Sequence, residues 1–287
     1  MTSSREAILD LREINDLQGY KACVRLQHET WGRDFSDQVP ASVLMIAQRT
    51  GGLVLGAFLR AELIGFAWGM AGWKGSKKIH WSDMLAVKKA FRNQGIGYRL
   101  KLRQREILKR RGVVEIHWTF DPLQSLNARF NFSKLGVLVS EYRPNLYGKT
   151  HSPLHASLDT DRFVAVWDLI RPMRRPRAAR ELRIEPFRVI NPCIVQKQRL
   201  IPRRVRLDLP ADDSKSGAAQ LLYLEAVQNL ASLKHTDPGL ARLWQRCTRE
   251  ACLHYFDRGF VVRDFVDASI EDRRGMFYVL SRTPLNK

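Results

Sequence analysis

Six residues, Arg92-Asn93-Gln94-Gly95-Ile96-Gly97, stand between the apolar run Met84-Leu85-Ala86-Val87 and a basic segment that reaches Arg111. Two glycines one residue apart, where a strand gives way to a helix, have a definite chemical use. Glycine permits positive φ and lets an anion approach the main chain without meeting a Cβ. The first N–H groups of the helix converge on one spot, and the macrodipole adds partial positive charge there. Arg92, Arg99 and Lys101 add charge around it. This arrangement suits a phosphate. An ordinary strand-helix turn has the same glycines, so wider context has to decide. A dinucleotide-binding turn would carry a third glycine where Arg99 and Leu100 stand, and the lysine-serine ending of a P-loop is absent.

The elements that must position this turn are readable from pattern. Leu53 to Met70 reads as two strands joined at Arg60 to Glu62. Residues 78–87 form a third, buried strand. The spacing predicts a helix from Ile96 to Arg111 that stops at Gly112, with Ile96, Leu100 and Ile107 on one face. Residues 113–120 return as a strand parallel to the third, giving a β-helix-β crossover. A second helix, "SLNARFNFSKLG", closes at Gly136, and "DRFVAVWDL" is a further strand.

The pattern "RNQGIG" resembles the pyrophosphate-binding R/Q-x-x-G-x-G/A signature of the GNAT acyltransferase superfamily. "NARFNFSKLGV" resembles that family's second motif, and the order of elements is the family's order. The resemblance covers roughly residues 5 to 172, and its wording is similar to a branch of larger proteins with an appended C-terminal region. The fold class it implies is α/β (α+β), with a mixed central sheet, and the cofactor is acetyl-CoA or another acyl-CoA. Gln94, Gly95, Ile96, Gly97, Tyr98 and Arg99, with Arg92 beside them, would wrap the pyrophosphate. Leu85 and Val87 would offer main-chain hydrogen bonds to the pantetheine amides, and Ser125 and Asn127 would complete the cofactor contacts. The tyrosine that often protonates the leaving thiolate is replaced by Phe132, and Ser125 stands where the family often has asparagine.

Acyl transfer to an amine needs a base, because a free ammonium has a pKa of about 10. Asp83 is the candidate, about 13 Å up the strand from Val87. Asp121 is the rival, although Asp-Pro also opens turns and caps helices. Tyr147 and Tyr142 are the substitutes for the missing acid, each also a packing residue. His80 and His117 could relay a proton or pack, and packing is the reading taken. His151 and His155 are four apart with Pro153 between them, so no metal site is expected.

A net charge of +19 favours anionic partners without choosing among them. Nucleic acid is not expected, because the basic stretch from Arg171 to Arg206 lacks interleaved aromatics. No apolar run reaches the roughly 20 residues of a membrane helix, and no export signal is seen, so a cytoplasmic protein is expected. Composition shifts near 171, which places the boundaries at 1–172 for the acyl-CoA-binding domain and 173–287 for a C-terminal α/β subdomain. In that subdomain strands are expected around Arg183 to Ile190 and Val205 to Leu209. Helices follow from Gly217 to Leu233 and Gly239 to Asp257, and "FVVRDFV" and "MFYVLSR" are strands. "ARFNFSKLGVLV" and "ACLHYFDRGFVV" superpose, Gly136 on Gly259, which reads as a repeated half-domain. The functions in play are an acyl-CoA-dependent N-acyltransferase acting on a small-molecule or peptide amine, with homodimerisation open; a non-catalytic acyl-CoA binder; and, below both, a basic nucleic-acid-associated protein.

Overall fold

The computed structural model describes residues 8–33, 35, 37–148, 158–173, 182–209 and 221–282. The chain forms two compact units, Met1–Trp118 with Asp168–Pro172, and Thr119–Trp167 with Met173–Lys287. Composition alone puts the boundary at 172; the contacts divide the chain after Trp118 and return Asp168–Pro172 to the first unit.

The first unit runs β1 (Leu9–Glu13), α1 (Leu17–Trp31), α2 (Ala41–Arg49), β2 (Leu53–Leu59), β3 (Glu62–Lys74), β4 (Lys77–Val87), α3 (Ile96–Arg110) and the start of β5 (Glu115–Phe120). Strands β1 to β4 pair antiparallel in chain order, and β4 pairs with β5 in parallel. Arg60 takes positive φ (58°) in the β2–β3 turn, where the sequence places the bend. Helices α1 and α2 cover one face of the sheet through Tyr20, Cys23, Leu26, Leu44 and Ala47, which pack with Val54, Phe66 and Trp68. Gln27 is fully buried and both accepts from the Val39 amide (2.8 Å) and donates to its carbonyl (3.1 Å), so the α1–α2 connection is satisfied internally. Helix α3 packs on β2, β3 and β4 through its apolar stripe, Ile96, Leu100, Ile107 and Leu108, all buried.

The second unit contains α4 (Ser125–Ala128), continuing as wide π turns over Arg129–Leu135, then β6 (Leu138–Arg143), β7 (Arg162–Asp168), β8 (Cys193–Gln196), β9 (Arg199–Pro202), β10 (Leu222–Glu225), α5 (Leu230–Thr236), α6 (Pro238–Asp257), β11 (Phe260–Ile270) and β12 (Arg273–Arg282). Its main sheet has the order β7-β6-β11-β12-β10. Phe163 sits in an aromatic core with ring centroids 5.4 to 6.0 Å from Tyr278, Phe120, Tyr142 and Phe256.

The internal echo has a structural counterpart. Gly136 (φ 72°) ends the first helix and Gly259 (φ 78°) ends α6, both in the left-handed conformation that lets a helix stop. Strands β6 and β11 then pair antiparallel at Val139↔Val262. Each carries a bulge just beyond that pair, between Val139 and Glu141 and between Val262 and Asp264. The offset that superposes the two glycines also superposes the paired valines and the bulged Ser140 and Arg263, so the repeats meet about a local dyad.

Three expectations for the C-terminal half are corrected. The stretch from Arg183 to Ile190 makes only isolated bridges at Arg183 and Val189 around a 3-10 turn, Pro186–Arg188, because Pro186 cannot donate to a ladder. Residues 203–209 carry no strand; the Arg206 amide bonds Ile190 and the pairing goes no further. The helix expected from Gly217 to Leu233 is, over its described part, strand β10, with all four residues buried and paired to β12, followed by the short α5. A fully buried strand has no alternation to distinguish it from a helix. The β8–β9 hairpin escaped notice because Lys197 (φ 48°) and Gln198 (φ 60°) take the positive-φ turn positions that usually announce themselves as Asn-Gly.

Candidate active site

The glycine turn follows from the geometry of β4. That strand pairs with β5 only at Ile79↔Glu115, His80↔Ile116 and Trp81↔His117, then runs on to Val87 with β3 alone as its ladder partner. The place where the two strands part coincides with a bulge, since Trp68 faces Met84 while Gly69 faces Ser82. Asp83 is the extra residue. A bulge breaks the alternation and re-aims the side chain at that position, which puts a carboxylate on the splayed part of β4. Asp83 reaches solvent, yet the protein around it raises its pKa by loss of hydration, against a hydrogen bond from Trp81 and with help from the charge of Asp37.

Beyond Val87 a 3-10 turn, Lys89–Phe91, leads to Asn93 (φ 63°) and Gly95 (φ 78°, ψ 2°). Two left-handed residues so close together turn the chain back into α3. Gly95 is there for its conformation, because a Cβ at this position would meet only open space. At Gly97 a Cβ would lie 3.6 Å from the Leu85 side chain, so that residue keeps the helix start close against β4. The first helical bond runs from the Arg99 amide to the Gly95 carbonyl (3.0 Å). The amides of Ile96, Gly97 and Tyr98 precede it, and no side chain caps them. Residues Arg92 to Gly95 are exposed. Arg92 is held by its Nε on the Val87 carbonyl (3.0 Å), and Gln94 by its amide on the Ala90 carbonyl (3.1 Å). The turn is thus an open set of N–H donors, edged by Arg92 and Arg99, at the end of the strand that carries Asp83, Leu85 and Val87.

The remaining sequence candidates lie in the second unit. Asp121 accepts from the Leu123 amide (2.8 Å), and burial raises its pKa despite the charges of Arg162 and Lys234. Tyr147 is half-exposed, shares a hydrogen bond with Thr119 (2.8 Å) and lies under the Arg162 guanidinium, 5.2 Å from the ring centre. Ser125 is buried and donates to the Val227 carbonyl, so its hydroxyl is engaged within the protein, whereas Asn127 is exposed. Tyr142 is a packing residue: it is buried, donates to Asp161, and burial pushes its pKa up. Phe132 is buried between Phe120 (6.0 Å) and Tyr278 (5.8 Å). His117 pairs with Glu115 (2.9 Å), and His151 and His155 lie outside the described residues.

The expectation that Lys101 adds charge around the turn is corrected: it is buried beneath the bulge, in a polar cluster that sequence reasoning passed over. Lys101, Ser82, Gln104 and His80 are all buried, and Lys101 Nζ sits 4.0 Å from the centre of the Trp118 ring. Helical spacing from Gly97 would have placed Lys101 on the inner face, which was the available signal. A cavity of about 390 Å³ opens elsewhere in the first unit, between α1 and the β2–β3 turn. It is lined by charges of both signs, Lys88 pairing with Glu62 (2.7 Å), and it does not reach the glycine turn. Among the described residues, no group of three or more His, Cys, Asp or Glu could hold a metal ion, and no helix is long and apolar enough to cross a membrane.

Residues 20–136 match the model of the acetyltransferase (GNAT) family, a segment of less than half the chain. Among solved structures, the chain is similar to an aminoglycoside 6'-acetyltransferase type Ii (21% identity, 57% of this chain and 99% of that one, TM-score 0.45). It is also similar to the ribosomal-protein-S18-alanine N-acetyltransferase of Escherichia coli (13%, 60% and 99%, TM-score 0.46). A third is Naa50 of Arabidopsis thaliana in complex with a bisubstrate analogue (17%, 55% and 97%, TM-score 0.45). No curated protein sequence matches the chain.

Proposed function

We propose that this protein, whose residues 20–136 match the acetyltransferase (GNAT) family model, is an acyl-CoA-dependent N-acyltransferase that delivers an acyl group, acetyl in the simplest case, to a primary amine by direct attack. The observation that carries the proposal is the uncapped start of α3 behind a left-handed Gly95, set at the end of a strand that has parted from its neighbour. Donors left without a capping side chain, with open space over Gly95, fit a diphosphate. The residues that would hold it are Gln94 to Arg99, with Arg92 alongside. Leu85 and Val87 lie beyond the last β4–β5 pair, which leaves that edge of the strand for a pantetheine arm. The thioester supplies an activated carbonyl.

The chain's own contribution is positioning and proton transfer. Asp83, with its carboxyl pKa raised by loss of hydration, is the base: a raised pKa makes it a better proton acceptor for an ammonium. Asp121 is the rival base and Tyr147 the candidate acid. A thiolate leaving group has a free pKa of about 8.5 and departs without a strong acid, which suits a chain with Phe132 in place of the usual tyrosine.

Phe132 also supports a second reading, a non-catalytic acyl-CoA binder, because its buried aromatic setting supplies no proton. Two measurements separate the readings. Acetyl-CoA titrated by calorimetry should bind the wild type and lose about a hundredfold in affinity with Gly95→Asp, which sets a carboxylate against the diphosphate. Equal affinity for both, or none for either, removes the cofactor. With a panel of amines, Asp83→Asn should cut turnover by about 10²- to 10⁴-fold while cofactor affinity holds. Cofactor binding without turnover of any amine selects the binder.

A further inference from the structure

The cluster under the β4 bulge has a composition that packing does not account for. Lys101 is on the inner face of α3, one turn past the glycine turn, and is almost fully buried. Its Nζ lies 2.8 Å from Ser82 Oγ and 3.2 Å from Gln104 Oε1, with the Trp118 ring 4.0 Å away. Ser82 is the residue before the bulged Asp83, and its hydroxyl also lies 3.2 Å from Gln104 Nε2. Gln104 Nε2 in turn lies 3.4 Å from His80 Nε2 and donates to it when that ring nitrogen carries no proton, with the amide oxygen towards Lys101. His80 Nδ1 is buried without a hydrogen-bond partner in the described structure. The close packing extends to Gly69, where a Cβ would fall 2.4 Å from His80 Nε2 and 2.2 Å from the Trp81 carbonyl.

We propose that Lys101 is a positioning residue: its Nζ clasps Ser82, and with it the bulge that aims Asp83, to the helix whose first turn receives the diphosphate, and the clasp changes with protonation. The proposal rests on the cofactor reading above.

An ammonium has three donors and no acceptor, so charged Lys101 donates to both Ser82 and Gln104 while Trp118 offers its π face. A neutral amine accepts, and the Ser82 hydroxyl then turns to donate to it. The groups that face Lys101 are few. Strand β4 presents His80 and Ser82, α3 presents Gln104, and β5 presents Trp118. Burial holds His80 neutral, with a pKa lowered to about 3, and the charges of Lys101 and Arg111 push the same way. Burial alone acts on Lys101 and brings it to about 7. Lys101 is therefore the titrating member of the cluster near neutral pH. Through Ser82 its state reaches the base; along α3 it reaches the cofactor turn.

Coenzyme A is the probe, titrated by calorimetry from about pH 6 to about pH 9 against the wild type, Lys101→Gln and Lys101→Met. Any dependence that comes from the phosphates of coenzyme A is common to all three. Beyond it, wild-type affinity should change roughly threefold to tenfold across about pH 7, the scale of one hydrogen bond. Lys101→Gln keeps the bond to Ser82 without a titrating group, so it should bind like the charged wild type and lose the step. Lys101→Met loses both the bond and the step. Superimposable profiles for the three proteins overturn the proposal. Should no protein bind coenzyme A, the cofactor reading fails first, and NMR of isotopically labelled lysine decides the clasp separately. A Lys101 resonance that titrates near 7 supports it, and one that titrates above about 9 overturns it.

Discussion

Helices α3 and α6 begin in opposite ways. At α6, Asp237 accepts from the Leu240 amide (2.9 Å) and pairs with Arg199 (2.6 Å), so the partial positive charge of the helix start is answered within the protein. Helices α1 and α5 are closed in the same manner, by Asp16 and Asn229. At α3 the N-cap is Gly95, which has no side chain to offer, and Arg92 and Arg99 nearby are exposed cations. A cap is worth about 1 kcal/mol, and the left-handed Gly95 (φ 78°) forgoes it. Omitting it at the end of the splayed strand keeps donors available for an anion. On the proposed reading, the contrast separates a helix start closed by the protein from one left for a ligand; α2, which begins at Pro40, also has no side-chain cap, so the position beside the splayed strand carries the distinction.

Truncation tests this contrast most severely. Removing everything after Pro172 deletes α6 and leaves α3 in place, but it also strips Thr119–Trp167 of the segments it packs with. Phe163 would lose Tyr278 and Phe256, and Arg129 would lose the two-pronged pair with Asp267 (2.6 and 2.7 Å). The truncated chain should fail to unfold cooperatively in urea; a sharp transition with intact cofactor affinity would show that α3 and its sheet stand alone. Next in size is the pair of single substitutions at the helix starts. Gly95→Asp should abolish most cofactor affinity at a fold cost of about 1 kcal/mol for a side chain at positive φ. Asp237→Ala should do the reverse, costing about 1 kcal/mol in denaturant melts and leaving the cofactor titration unchanged. A loss of binding in Asp237→Ala would dissolve the distinction.

The remaining effect is a slope with pH rather than a fixed loss. Lys101 has a folded pKa of about 7, below its unfolded value of about 10.4. Between those values the unfolded chain holds the extra proton, so this residue makes stability rise with pH across the window and costs most below it. Urea melts of the wild type and Lys101→Met should converge as pH rises through that range. Parallel stabilities would mean that Lys101 stays charged in the fold.

The glycine turn and the elements around it were more legible than the second unit. The Gly95–Gly97 turn, β4, α3 and the crossover to β5 follow from residues with strong local signals: glycines at the turn, a helical stripe and a buried strand. Asp83 was found by its position in the strand, but the bulge that re-aims it was invisible, because a bulge is a property of register with β3. The buried Lys101 cluster was equally hidden, since a lysine in a basic helix reads as a solvated face until its tertiary neighbours are known. In the second unit, β10 read as a helix because burial on both faces erased its alternation, and Lys197-Gln198 concealed a hairpin whose turn is normally built with glycine. The boundary at 172 followed a shift in composition, whereas contacts between segments remote in sequence group Thr119–Trp167 with the C-terminal half.

The pairing of Val139 with Val262 has a consequence for assembly. A strand has two flanks, and those of β6 are taken by β7 on one side and β11 on the other. Had the repeat been absent, β6 would have offered an unsatisfied row of amides and carbonyls, the usual invitation to another polypeptide. The chain takes that place at Val139 with its own C-terminal segment, so self-association through this part of β6 would first have to evict a covalently tethered occupant.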